Sequence, residues 1–233
     1  EAKSVTSISQ DALDNINTLV TSIKDAAATA SSGALGTDEK VALAKGAYRM
    51  AQQVQFAVDS TVFGGKQLLQ GSYSGDWTVG YYADNSLLTL GIDLTTANAD
   101  FNVKSQNFNL NAIASAKAGH TSDFAGVTGL DLESLNSVTD SNLGIFSDSE
   151  ISTTLSSLAE ALNNVNKVAS YLGGIEVRLN SQDELLKSQI TNYSAAISRI
   201  EDADIAQEQL DLIKSQFLQQ ASIISLAQSN QTP

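Results

Sequence analysis

The chain has 233 residues, no cysteine, a single proline at position 233 and a formal net charge of −13 at pH 7. The absence of cysteine excludes disulfides, thiolate zinc sites and cysteine nucleophiles. The 13 basic residues are scattered, which argues against nucleic-acid binding because phosphate neutralisation needs clustered Lys and Arg. No apolar run approaches the roughly 18 residues of a membrane span, so no membrane segment is expected.

The first predicted helix covers residues 3–31, where apolar residues recur at steps of three or four. These are Val5, Ile8, Ala12, Ile16, Leu19, Ile23 and Ala26. A loop with two glycines follows, and Thr37 is expected to cap a second helix that extends to about residue 59. Asp38 and Glu39 suit its first turn. Its apolar stripe comprises Leu43, Ala47, Met50, Val54 and Ala57.

The middle of the chain has strand-like content. Residues 77–82 and 87–92 are predicted to form a β-hairpin, because residues 83–86 between them have turn chemistry. Residues 95–148 mix short apolar pieces with polar residues, which favours a small mixed lobe or a set of long loops. One or two helical turns are expected at residues 111–117.

Few residues here suggest chemistry. His120 is the single histidine and is interpreted as a surface residue of a loop. Asp140, Asn142, Asp148 and Glu150 do not have the spacing of an EF-hand and are interpreted as a solvated acidic loop. No catalytic, cofactor or metal site is predicted, and we expect that the protein is not an enzyme.

Three aromatic residues of the hairpin form a possible sugar-stacking platform. They are Trp77, Tyr81 and Tyr82. At alternating and adjacent strand positions aromatic side chains more often serve core or cross-strand packing, which is the favoured interpretation.

The longest apolar stripe occupies residues 151–200 and predicts a helix of about 75 Å at about 1.5 Å per residue. Gly173 and Gly174 interrupt it, and we expect a close neighbouring backbone to compensate for them. Charge then crowds residues 198–204, which is interpreted as a joint where Asp202 or Asp204 caps a further helix, residues 204–231. Such a stripe needs partner helices. If the middle of the chain is a hairpin-like excursion, the two helical ends of the chain run antiparallel.

The joint and the residues after it resemble bacterial flagellin. Ser198–Asp204 looks like the family's C-terminal signature, and so do Leu218–Ala221 and Leu226–Gln231 at the same offsets. Leu172-Gly173 and Arg178 match upstream, and residues 12–69 are similar to the family's first two helices. Phe63 and Gly65 match its Phe-Asn-Gly turn, with Gly64 in place of Asn. The resemblance covers residues 3–72 and 150–233.

The resemblance implies a mainly α fold: an antiparallel long-helix rod with a β-hairpin and a small mixed α/β variable lobe. The expected domains are residues 1–72 and 150–203 as the rod core, 73–149 as the variable lobe, and 204–233 as the start of a terminal coiled coil. Arg199, Ile200, Glu201, Asp202 and Asp204 are the expected joint and assembly residues. The resemblance also implies a chain shortened at both ends.

The implied function is a secreted, extracellular subunit of the flagellar filament, which serves motility. Full-length copies are expected to assemble with one another, whereas the shortened chain is expected to be a monomer. An export chaperone and hook-associated proteins are the implied partners. Many flagellins are recognised by an innate immune receptor through Arg, Leu and Glu at positions that are Ser22, Ala26 and Gly46 here. Weak or absent receptor recognition is therefore expected.

Two other functions remain open. One is a cell-surface adhesin or glycan-binding protein that uses residues 73–149. The other is a hook–filament junction protein, which shares helical ends with flagellin, although the match of the joint favours flagellin.

Overall fold

The computed structural model describes residues 1–95, 98, 123–128 and 130–230. The predicted turns at 111–117 and His120 lie outside these residues. The chain divides into two compact units, Glu1–Asn180 and Ser181–Pro233. The architecture is mainly helical with small antiparallel strand pairs, as the sequence predicted.

Three long α-helices dominate the described residues: α1, Ala2–Ala30; α2, Thr37–Ser60; and α3, Ile151–Asn230. The predicted cap at Thr37 is wrong, because Gly36 is the N-cap of α2 and Thr37 is already helical. Glycine is accepted there, since replacing a capping side chain by Gly costs only a few tenths of a kcal/mol. Asp38 and Glu39 do occupy the first turn.

The buried seam of α1 follows a regular alternation of four- and three-residue steps. It contains Ser9, Leu13, Ile16, Val20, Ile23, Ala27 and Ala30, all buried. The predicted stripe is displaced by one position in places: Ile8 is 36% exposed, and Ala12 and Leu19 are only partly buried. Both rows are apolar and adjacent, so periodicity alone did not select the one that faces the core.

The first part of α3 runs antiparallel to α1. Its seam also steps by three and four: Ile151, Thr154, Leu158, Ala161, Val165, Val168, Leu172, Ile175 and Leu179 are buried. Asn17 Nδ2 donates a hydrogen bond of 2.7 Å to Asn166 Oδ1. One amide orientation of Gln10 lets its nitrogen donate to Glu176 Oε2 at 2.6 Å. Lower-numbered residues of α1 thus meet higher-numbered residues of α3, which confirms the predicted antiparallel pairing.

The two glycines within α3 do not mark a close backbone approach. A Cβ built on Gly173 would meet the Gln10 side chain at 3.6 Å, and one on Gly174 would meet nothing within 4 Å. The prediction of a neighbouring backbone is therefore wrong. The helix continues through both residues because a glycine costs only about 1 kcal/mol relative to alanine and the flanking Leu172 and Ile175 are buried.

A short hairpin reverses the chain after α2. β1 (Val62–Phe63) pairs with β2 (Lys66–Gln67), and Gly64 and Gly65 between them have φ of 60° and 78°. Two consecutive positive φ values define a type I′ turn, which favours glycine or asparagine. Glycine thus allows the positive φ that the turn requires at position 64, where the resembled family has asparagine.

The predicted larger hairpin is confirmed. β3 (Ser74–Tyr81) pairs antiparallel with β4 (Leu87–Asp93), with an irregularity between Thr78 and Gly80. In its turn Asp84 Oδ1 accepts hydrogen bonds from the Ser86 hydroxyl at 2.6 Å and from the Ser86 N–H at 3.0 Å. The hydrogen bonds from Ser86 lower the pKa of Asp84, since they stabilise its charged form.

The described remainder of the middle region joins the same core as the helices. β5 (Asp123–Phe124) pairs with β6 (Val127–Thr128), and 3-10 helices cover η1 (Glu133–Ser137) and η2 (Gly144–Phe146). Asn164 of α3, itself buried, donates to the Ala125 carbonyl at 2.6 Å. Phe124 and Phe146 are among the largest fully buried side chains. This region is thus packed onto the helices of its unit.

Candidate assembly surface

The apolar stripe of α3 loses its cover after Leu179. Leu179 is 6% exposed, whereas Tyr193 is 68% exposed and Phe217 is 71% exposed. Every residue from 187 to 224 is exposed. The uncovered large apolar side chains include Leu185, Ile190, Ile197, Ile200, Ile205, Leu210, Leu212, Ile213, Leu218, Ile223 and Ile224. We call residues 185–224 the exposed stripe.

The first part of the exposed stripe continues the helix face on which the buried seam lies. Leu179, Leu186, Tyr193 and Ile200 follow one another at seven-residue steps, which places them on one helix face. A second stretch, Leu210, Ile213 and Phe217, again steps by three and four. Heptad spacing is typical of a helix that packs lengthwise against another helix. The exposed stripe therefore has the pattern of an interface with no covering helix among the described residues.

The predicted joint is not a break in the helix. α3 is continuous through Arg199, Ile200, Glu201, Asp202 and Asp204, all of which are exposed, so neither aspartate caps a new helix. The stretch contains no glycine or proline to interrupt the backbone hydrogen bonds, and Glu has good helix propensity. The acidic residues instead form a row: Glu201, Asp204, Glu208 and Asp211 step by three, four and three.

The three positions at which the resemblance predicts departures from receptor recognition lie on α1 and α2. Ala26 and Gly46 line an apolar groove of about 560 Å³ between these helices, together with Leu43 and Met50. Ser22 lies one turn before Ala26, and its hydroxyl donates to the Thr18 carbonyl at 3.1 Å. Sequence reasoning missed this groove, although the small residues Ala42 and Gly46 at a four-residue step were a signal for it.

The three aromatic residues of the hairpin have different environments. Trp77 is partly buried, packs against the core and pairs with the buried Leu90. Tyr81 pairs with Leu87 and is 72% exposed, and Tyr82 is 56% exposed. Leu87 and Leu90 are an odd number of residues apart on β4, so Trp77 and Tyr81 occupy opposite faces. Tyr81 and Tyr82 are the aromatic side chains left open to a ligand, and glycan binding stays a prediction.

The acidic side chains around position 140 provide no metal site. Within the described ranges, no group of three or more His, Cys, Asp or Glu is placed to hold a metal ion. Asp38 raises the pKa of Asp140, first through a hydrogen bond between the two side chains and second through charge repulsion. Asp148 pairs with the buried Lys40 instead, at 2.9 Å.

In the part of the chain that the structure describes, no helix combines the length and apolar character of a membrane span.

A long antiparallel helix pair with an uncovered heptad stripe places the chain in the class of mainly α proteins that pack through long helices. Comparison with known proteins specifies the family. The family model described as the bacterial flagellin C-terminal helical region matches residues 155–233. Among relatives, a putative flagellin of Bacillus subtilis, YvzB, is 35% identical over 126 residues, which is 54% of this chain and 75% of that protein.

Two further relatives carry the name flagellin. That of Bacillus subtilis is 28% identical over 191 residues, covering 79% of this chain and 59% of its own length. That of Bordetella bronchiseptica is 52% identical over 62 residues, covering 27% of this chain and 16% of its own length. The chain belongs to the bacterial flagellin family, whose members are structural proteins and not enzymes. It spans 59% of the length of the Bacillus subtilis flagellin.

Proposed function

We propose that this chain is the assembly core of a structural subunit of the extracellular bacterial flagellar filament, which serves motility. One observation carries the proposal: the heptad stripe that is buried up to Leu179 remains exposed from Leu185 to Ile224. Burial of apolar area is favourable by about 25 cal/mol per Å². An uncovered stripe of this length therefore favours association with other helices.

The test is electron microscopy of a full-length protein that contains this chain, under polymerising salt conditions. We expect filaments. A preparation that stays monomeric by light scattering at every salt and protein concentration, while circular dichroism shows the folded helices, would refute the proposal.

A matched pair of substitutions links assembly to the stripe. Phe217→Asp places a charge on the stripe, so we expect loss of filaments because an unpaired charge is costly to bury. Gln219→Asp adds the same charge on the same helix outside the apolar row and should leave assembly intact. Equal assembly of the two variants would show that the stripe is not the interface.

Further partners follow as proposals from the family. An export chaperone and hook-associated proteins are the expected partners of the whole protein, and the chain by itself is expected to be monomeric at low concentration. We expect weak or absent recognition by the innate immune receptor. The supporting feature is that Ser22, Ala26 and Gly46 replace the Arg, Leu and Glu of recognised flagellins, and Gly46 leaves its groove position without a side chain. A reporter-cell response to the full-length protein equal to that of an activating flagellin would contradict this.

Glycan binding is the second candidate function, and the exposure of Tyr81 and Tyr82 favours it. A glycan array would show a bound sugar class that the Tyr81→Ala variant loses. Tyr81→Ala is a better test than Trp77→Ala, because Trp77 is half-buried against the core and its replacement would also disturb packing. Absence of binding on the array would remove this candidate.

A further inference from the structure

The groove between α1 and α2 is an apolar surface with room for side chains. Its lining includes two polar residues, Thr29 and Glu39, and is otherwise formed by Ala26, Leu35, Ala42, Leu43, Gly46 and Met50. A Cβ on Gly46 would meet no atom within 4 Å, so the missing side chain keeps this part of the groove open. The lining residues Glu39 to Met50 span about 16 Å along α2 at about 1.5 Å per residue, which is long enough for two turns of a partner helix.

One edge of the groove is basic. Lys45 and Arg49 are exposed and lie three residues after the lining residues Ala42 and Gly46, so they border the groove along α2. Glu39 lines the groove at the start of α2, and Asp25 is exposed on α1 beside the lining residue Ala26, so the basic edge is confined to the later turns of α2. An acidic partner would therefore be oriented with its charges toward Lys45 and Arg49 and away from Glu39.

The matching surface is the acidic row of α3. Glu201, Asp204, Glu208 and Asp211 occupy one edge of an exposed helix. Next to this edge lie Ile205 and Leu212, which are 54% and 59% exposed. The two apolar side chains are seven residues apart, or about 10 Å along the helix, and so fit within the length of the groove.

We propose that the groove of one copy receives residues 200–213 of a second copy, with Ile205 and Leu212 in the groove and the acidic row against Lys45 and Arg49. This inference rests on the proposed function and names one contact of the assembly. Charge complementarity selects the pairing: two grooves face to face would oppose basic edges, and two acidic rows would repel each other. Because the two surfaces differ, the contact is heterologous, and a heterologous contact repeats as a filament when its rotation does not close into a ring.

Cross-linking tests the pairing directly, because the chain contains no cysteine. A Gly46→Cys chain is mixed with an Ile205→Cys chain and oxidised at low salt. We expect the mixed disulfide dimer to exceed both homodimers. In the control, Val177→Cys, which is 65% exposed on α3 but far in sequence from the acidic row, replaces Ile205→Cys. A 46–205 dimer no more abundant than the 46–177 or 46–46 dimer would overturn the inference.

Charge exchange supplies the second test. Lys45→Glu with Arg49→Glu on the Gly46→Cys chain should lower the yield of mixed dimer on the order of tenfold, as expected for loss of two exposed ion pairs. Asp204→Lys with Glu208→Lys on the other chain should restore it. Failure of the exchange to restore the dimer would overturn the inference.

Electron microscopy of the full-length protein separates this inference from the proposed function. Filaments that form normally with the Lys45→Glu, Arg49→Glu pair would overturn the groove contact and leave the proposed function standing. Absence of filaments from the unsubstituted protein would refute the proposed function, while the cross-linking result would still decide the groove contact in solution.

Discussion

The buried hydroxyl of Ser9 offers the sharpest test of the packing between α1 and α3. Ser9 is 0% exposed, lies in the seam of α1 and has no hydrogen-bond partner for its Oγ among the described residues. Thr6, one turn earlier and also buried, bonds the Ala2 carbonyl at 3.0 Å. Serine 9 thus carries the desolvation cost of a hydroxyl without the compensation that its neighbour has.

Ser9→Ala should therefore stabilise the unit Glu1–Asn180. Removal of an unpaired buried hydroxyl is worth about 1–3 kcal/mol, and alanine has the higher helix propensity. We expect a gain of about 1–2 kcal/mol in the free energy of unfolding, or roughly 2–8 °C in Tm for a unit of this size. Urea unfolding followed by circular dichroism measures the change, with the slope m unaltered.

Ser7→Ala is the matched control, since Ser7 is exposed on the same helix two residues away. It should yield only the difference in helix propensity, about 0.5 kcal/mol. If Ser9→Ala stabilises no more than Ser7→Ala, the hydroxyl of Ser9 is hydrated or bonded, and the reasoning about the seam is refuted.

Two further predictions concern the middle of the chain. Asn164→Ala removes the donor to the buried Ala125 carbonyl and should cost about 1–3 kcal/mol of unfolding free energy in urea, whereas alanine at the exposed Asn163 should change it little. Asp84 should titrate by NMR below its ordinary pKa, and Ser86→Ala should raise that pKa toward the ordinary value because Ser86 supplies its hydrogen bonds. Since the folded pKa is lowered, the contribution of Asp84 to hairpin stability is present above its unfolded pKa and is lost as pH falls through the folded pKa. A Ser86→Ala protein with an unchanged Asp84 pKa would contradict this assignment.

Several features were predictable from sequence because local chemistry decides them. Steps of three and four specified the first two helices to within two residues, since amphipathic periodicity is a property of each segment alone. Residues 83–86 specified the turn of the larger hairpin, because Asp84 bonds its own neighbour. The flagellin resemblance was carried by short stretches near the end of α3, and the comparisons confirmed the family.

Other features depended on partners distant in sequence. On α1 the row of residues that contains Ser9 is buried, whereas the row that contains Ile8 is more exposed. The choice between the rows depends on where α2 and α3 pack against α1, and the periodicity of α1 alone contains no information about those positions. The small hairpin that holds Phe124 and Ala125 is buried by contact with Asn164, 39 positions from Ala125.

The continuity of α3 shows where local signals mislead. Charge crowding from Glu201 to Asp204 suggested a capped joint, yet an exposed helix tolerates such residues when its backbone hydrogen bonds are intact. The sequence by itself determined the helical character, the heptad spacing and the family of this chain. Only the tertiary structure decided which apolar rows are covered and which remain open, because burial depends on a second surface that no single segment contains.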